Sequence, residues 1–106
     1  MITITVYKNE IGFTGFTSQG HAGYADHGYD IICAGVSVLT VNTLNSIETY
    51  TNDKFKVKQK DGFIQCKFNG VLSEQSNLLM NSMILGLKSI QQDYGNEYIQ
   101  VIFKEV

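Results

Sequence analysis

The run Lys54-Phe55-Lys56-Val57-Lys58-Gln59-Lys60 alternates charged and less polar side chains, and Asp61-Gly62 follows it directly. Alternation with a period of two sends successive side chains to opposite faces of a strand. Asp-Gly suits a two-residue hairpin turn, whose central positions need positive φ. The chain is therefore expected to fold back on itself here. The returning strand would bury Ile64, Cys66 and Phe68 and set Lys56 opposite Lys67. Lys54, Lys56, Lys58 and Lys60 would share one face, which reads first as a solvated face or as protection of an edge against further strand pairing.

The rest of the chain falls into place around that hairpin. Ile2, Ile4 and Val6 alternate with Thr3, Thr5 and Tyr7, giving a first strand. Asn9-Glu10 turns into Ile11–Gln19, a second strand whose Gly12 and Gly15 permit a bend or bulge. From Ile31 to about Tyr50, Ile32, Val36, Leu39, Thr43 and Ile47 recur at helical steps, with Asp30 where an N-cap belongs. Ser73 opens a second helix with the stripe Leu79, Met80, Met83, Ile84, Leu87, Ile90 and Tyr94, and Gly95 ends it. Tyr98–Phe103 forms a last strand. The expectation is one α+β domain over residues 1–106, in the order β-β-α-β-β-α-β, with two helices packed on an antiparallel sheet.

Composition narrows the functions open to such a domain. The net charge is −2 and arginine is absent, which speaks against a dedicated nucleic-acid binder. No apolar run looks long enough to span a bilayer, so no membrane is expected. Met1 leads straight into the first strand pattern, so no secretory signal is expected and the two cysteines should stay reduced. The expectation is a soluble cytoplasmic domain.

Between the second strand and the first helix, Gly20 to Asp30 has neither helical nor strand periodicity and is rich in glycine, histidine, aspartate and tyrosine. It reads as a mobile loop, with Gly20, Gly23, Tyr24, Gly28 and Tyr29 in it, and such loops on a rigid scaffold carry chemistry. Cys33 would sit in the first turn of the helix that follows, where free N–H groups and the macrodipole favour a negative sulfur. His21, at the end of the preceding strand, is placed to take the thiol proton and later to protonate a leaving amine. Free N–H groups of the same helix turn would hold an oxyanion. Asp30 is a helix cap first and a third member of a triad second. Ser37, one turn after Cys33, either packs with a bond back to a carbonyl or lines the site. Cys66, between Ile64 and Phe68, is assigned to packing. The spacing of His21, Asp26, His27, Asp30 and Cys33 matches no common zinc pattern, and no metal or other cofactor is expected. A non-catalytic binding module with a buried Cys33 and a small-molecule thiol hydrolase are the competing readings.

The segment Gly20-His21-Ala22, then Gly28, then Asp30-Ile31-Ile32-Cys33-Ala34-Gly35-Val36-Ser37 resembles the signature of the ribosomal-processing cysteine proteases (Prp), and the resemblance extends over the whole chain. It implies a cysteine endopeptidase that removes a short N-terminal extension from large-subunit ribosomal protein twenty-seven, cutting after an aromatic-rich stretch. Carried over by position, His21 matches the catalytic histidine, Cys33 the nucleophile and Asp30 the acidic position before it. The resemblance also implies a homodimer with a mobile loop over Gly20–Tyr29. Tyr24 and Tyr29 would then meet aromatic substrate side chains or pack on the domain. Association with the ribosome, the lysine stripe touching its RNA, is a weaker expectation, and the binding-module alternative would likewise be ribosome-associated.

Overall fold

A computed structural model of the chain describes residues 1–26 and 29–106; His27 and Gly28, the latter among the expected loop residues, lie outside the described residues. The elements are β1 (Ile2–Lys8), β2 (Phe13–Gln19), α1 (Ile31–Tyr50), β3 (Lys54–Lys60), β4 (Phe63–Asn69), α2 (Glu74–Tyr94) and β5 (Ile99–Glu105). This is the expected order, with both helices bounded as their caps predict: Asp30 and Ser73 open them and Gly95 closes the second. The second strand starts at Phe13 instead of Ile11 because Asn9 builds a turn, its Oδ1 accepting from Ile11 N–H at 2.9 Å and Gly12 N–H at 3.1 Å.

The strands form one sheet in the order β3-β4-β2-β1-β5. Its pairs β3–β4, β4–β2 and β2–β1 are antiparallel, but β5 runs parallel to β1. The sheet is thus mixed, not wholly antiparallel as expected, and the cause is topological. β4 and β5 are joined through α2, and a helical crossover returns the next strand in the same direction as the last. Two strands, β2 and β1, lie between them, so β5 meets β1 in parallel. The register of β2 on β1 shifts between Tyr7 and Lys8, where β2 steps from Gly15 to Phe13, the irregularity its glycines were expected to allow.

One sheet face is buried. Ile2, Ile4 and Val6 of β1, Phe16 of β2, Ile64 and Cys66 of β4 and Ile99 of β5 pack with Ile32, Val36 and Ile47 of α1 and Met80, Met83 and Leu87 of α2. The helices approach through glycines: a Cβ on Gly86 would lie 2.9 Å from Leu39 Cδ1, and one on Gly35 would lie 3.3 Å from Ile90 Cδ1. By length and composition α1 is apolar enough to cross a membrane, which inspection of short runs overlooked. Here its Ile32, Val36, Leu44 and Ile47 are buried in the domain, as in a core helix. Lys56 stands opposite Lys67, as the two-residue turn predicts, and β3 is an edge strand.

A second buttressing carboxylate, Asp53, ties the start of α2 to the chain after α1. Asp53 accepts from Ser73 N–H at 3.0 Å, from Ser73 Oγ at 2.6 Å and from Ser76 Oγ. The Ser73 and Ser76 hydroxyls hold its carboxyl below the usual value, against burial, which raises it. A lowered native pKa contributes stability that is complete above about pH 4 and is lost as pH falls through the native value. Asp53→Asn should cost about 1–3 kcal/mol at neutral pH. Urea denaturation from pH 7 down to pH 3 should show the wild-type advantage shrinking over the acid part of that range.

Candidate active site

The end of β2, the loop after it, the start of α1 and the β3–β4 turn surround a groove of about 830 Å³. Its lining includes His21, Asp30, Cys33 and Ser37, the residues expected from the sequence, and adds Lys60, Asp61 and Gly62 from the hairpin. A strand, a helix and a turn distant in sequence thus meet at one opening.

Asp30 organises the helix side. Its Oδ1 accepts from the N–H groups of Ile32 and Cys33, both at 3.0 Å. Its Oδ2 accepts from Tyr24 N–H at 3.0 Å and Ala25 N–H at 3.4 Å. Burial raises the carboxyl pKa, but the amides of Cys33, Tyr24, Ala25 and Ile32 together bring it below the ordinary value. Of the two roles considered from the sequence, the geometry is that of a cap, extended to fasten the loop; the carboxylate is occupied by backbone, not by His21. The same bonds narrow the oxyanion expectation: Ile32 and Cys33 N–H donate to the Asp30 side chain and Ala34 N–H to its carbonyl at 3.1 Å, so these three amides are already engaged.

Cys33 is half-buried, and its Sγ accepts a hydrogen bond from Ala22 N–H at 3.4 Å. Among the described residues this is the one hydrogen bond to the sulfur. His21, the neighbour of Ala22, turns its Nε2 toward the hairpin, 3.8 Å from Asp61 Oδ2. Ser37 is exposed on the groove wall, which is the lining role. Cys66 has the opposite surroundings: 1% exposed between sheet and helices, its thiol is pushed by burial up to about 12. Of the two cysteines only Cys33 is open to a substrate.

The loop is fastened at its near end. Gly20 has φ 104° and donates to Gly62 carbonyl at 2.8 Å, and a Cβ on it would meet Met1 carbonyl oxygen. Tyr24 packs edge-on against Tyr94 and Tyr98, with ring centroids 5.6 and 5.2 Å away, so of the two readings for this tyrosine the structure has it packing on the domain. Tyr29 is 80% exposed beside the groove. Among the described residues no three histidine, cysteine or acidic side chains converge as a metal site requires. The hairpin's share in the groove escaped the sequence reading because residues 21 and 61 are neighbours only in space; Asp61-Gly62 carried a turn signal and nothing more.

The family model described as "Cysteine protease Prp" matches residues 1–100. A ribosomal processing cysteine protease Prp of Staphylococcus aureus is 28% identical over 107 residues, covering 98% of this chain and all 100% of that protein. Its counterpart in Bacillus subtilis is also 28% identical, over 101 residues, covering 89% and 90% of the two chains. The crystal structure of the S. aureus protease with a covalently linked product peptide superposes with a TM-score of 0.92 at 28% identity, over 98% of this chain and 100% of that one. A match of this extent in both sequence and fold leaves no part of the domain unaccounted for, and the chain belongs to the Prp family of cysteine proteases.

Proposed function

We propose that this protease removes the short N-terminal extension of large-subunit ribosomal protein twenty-seven, cutting after an aromatic-rich stretch, with Cys33 as nucleophile and His21 as base. The observation that carries this reading is the half-buried Cys33 sulfur in the first turn of α1, opening on the groove that His21 also lines. The names of the S. aureus and B. subtilis relatives, and the peptide complex of the former, support the substrate class.

The chemistry follows from the groups at hand. His21 takes the Sγ proton, and the thiolate is favoured by the helix N-terminus and by the Ala22 N–H directed at it. The sulfur attacks the scissile carbonyl carbon, and the imidazolium then protonates the departing amine as the C–N bond breaks. Water, deprotonated by His21, attacks the thioester carbonyl, and Sγ leaves and takes back the proton. Catalytic contacts are often longer before substrate binds, and a peptide seated in the groove would bring imidazole and sulfur together. Tyr29 and Ile31, exposed beside the nucleophile, are the apolar groups available to an aromatic substrate side chain. A cytoplasmic homodimer acting on newly made ribosomal protein completes the reading.

A peptide copied from the extended N-terminus should be cut by the wild type at the aromatic stretch, and Cys33→Ala should reduce the rate by at least about a thousandfold. Equal cutting by both would move the chemistry away from Cys33. Asp30→Asn replaces an acceptor of two amides with a donor. It should lower stability by about 1–3 kcal/mol in urea titration. It should also reduce turnover beyond the unfolded fraction, because helix start and loop lose their common anchor. A variant as active per folded molecule as the wild type would show that the anchor does not serve catalysis.

A further inference from the structure

The proposed base comes from the loop after β2 and the nucleophile from α1, and the imidazole also meets the β3–β4 turn. Gly62 adopts φ 68°, and a Cβ built on it would stand 2.7 Å from His21 Nε2, 3.2 Å from Cε1 and 3.4 Å from Cδ2. The ring therefore lies against the bare Cα face of Gly62, where a side chain would displace it. Asp61 adds a carboxylate 3.8 Å from Nε2, beyond hydrogen-bond range but a direct electrostatic contact. The turn is also bonded to the segment that carries the histidine, since Gly20 N–H donates to Gly62 carbonyl at 2.8 Å. Three separate contacts thus join one hairpin tip to residues 20 and 21.

We propose that the Asp61–Gly62 turn is a positioning element for His21: Gly62 is the surface that sets the ring's place, and Asp61 holds the proton on Nε2. Nδ1 is then the nitrogen left to exchange a proton with Cys33. This rests on the reading of His21 and Cys33 as the catalytic pair. The other charged groups on the groove do not compete for the ring. Lys60 extends its ammonium over Phe63, 5.7 Å from the ring centroid, and the Asp30 oxygens are occupied by four amides.

Two substitutions separate positioning from folding. Asp61→Asn keeps a residue equally suited to this turn and removes only the charge. It should lower kcat about two- to fivefold with KM little changed. Followed by NMR, the neutral His21 ring should carry its proton on Nε2 in the wild type and be divided between the two nitrogens in Asp61→Asn, a readout that needs no substrate. Gly62→Ala should lower kcat about tenfold or more by displacing the ring. Gly70→Ala is the control: φ there is 97° and a Cβ would meet nothing within 4 Å, so it bears the backbone strain without touching the site. An Asp61→Asn enzyme with unchanged kcat and the wild-type ring tautomer, together with a Gly62→Ala enzyme no slower than Gly70→Ala, would overturn the positioning role while an inert His21→Ala enzyme upheld the pair. A fully active His21→Ala enzyme would overturn the pair and this inference with it.

Discussion

The Asp30 carboxylate is the point on which the rest of the site depends. One oxygen accepts the N–H groups of Ile32 and Cys33, which begin α1, and the other accepts those of Tyr24 and Ala25, which end the near half of the loop. Hydrogen bonds to an ionised acceptor are stronger than neutral ones, and here all four converge on one side chain. The direction in which the helix leaves the loop fixes the height of the Cys33 sulfur. The place of the loop fixes the Ala22 amide that points at it. A neutral cap would begin the helix as well, yet could not receive two amides from each side.

The scaffold supplies the other fixed points. β2 is followed at once by Gly20, whose amide is paired with Gly62 carbonyl across to the hairpin, and Tyr24 is held between Tyr94 at the end of α2 and Tyr98 before β5. The floor of the groove is thereby built from the ends of elements whose other faces are in the core. This is a common solution in small enzymes: secondary structure ends, not middles, present free backbone and polar side chains to a substrate. Because α1 joins β2 to β3, the helix carrying the nucleophile crosses between the strand that leads to the histidine and the strand that leads into the turn beside it.

The two cysteines show how far the surroundings, and not the residue, decide reactivity. Cys66 alternates with Ile64 and Phe68 on a strand, faces the core and has its thiol raised by burial to about 12. Cys33 follows a capping aspartate and a polar loop and opens on the groove. That contrast was legible in the sequence, since a period of two around Cys66 and a cap three residues before Cys33 are both local patterns. The same holds for the hairpin register that sets Lys56 against Lys67, fixed by a two-residue turn alone.

By itself, the sequence determined what short-range chemistry controls: both helices and their caps, the Asp61-Gly62 hairpin, and His21, Asp30 and Cys33 as the residues around one strand–loop–helix junction. These follow from periodicity, from turn residues and from polar side chains that bond backbone a few positions away. Tertiary structure alone decided that β5 lies parallel to β1, because strand order depends on where α2 lays the chain down and not on any local pattern. It alone decided that the helix-turn amides serve Asp30 and that the Asp61–Gly62 turn lies against the His21 ring. Thirty-nine residues of intervening chain separate those last partners, and no pairwise signal in one sequence spans such a distance; packing of the helices on the sheet brings them together.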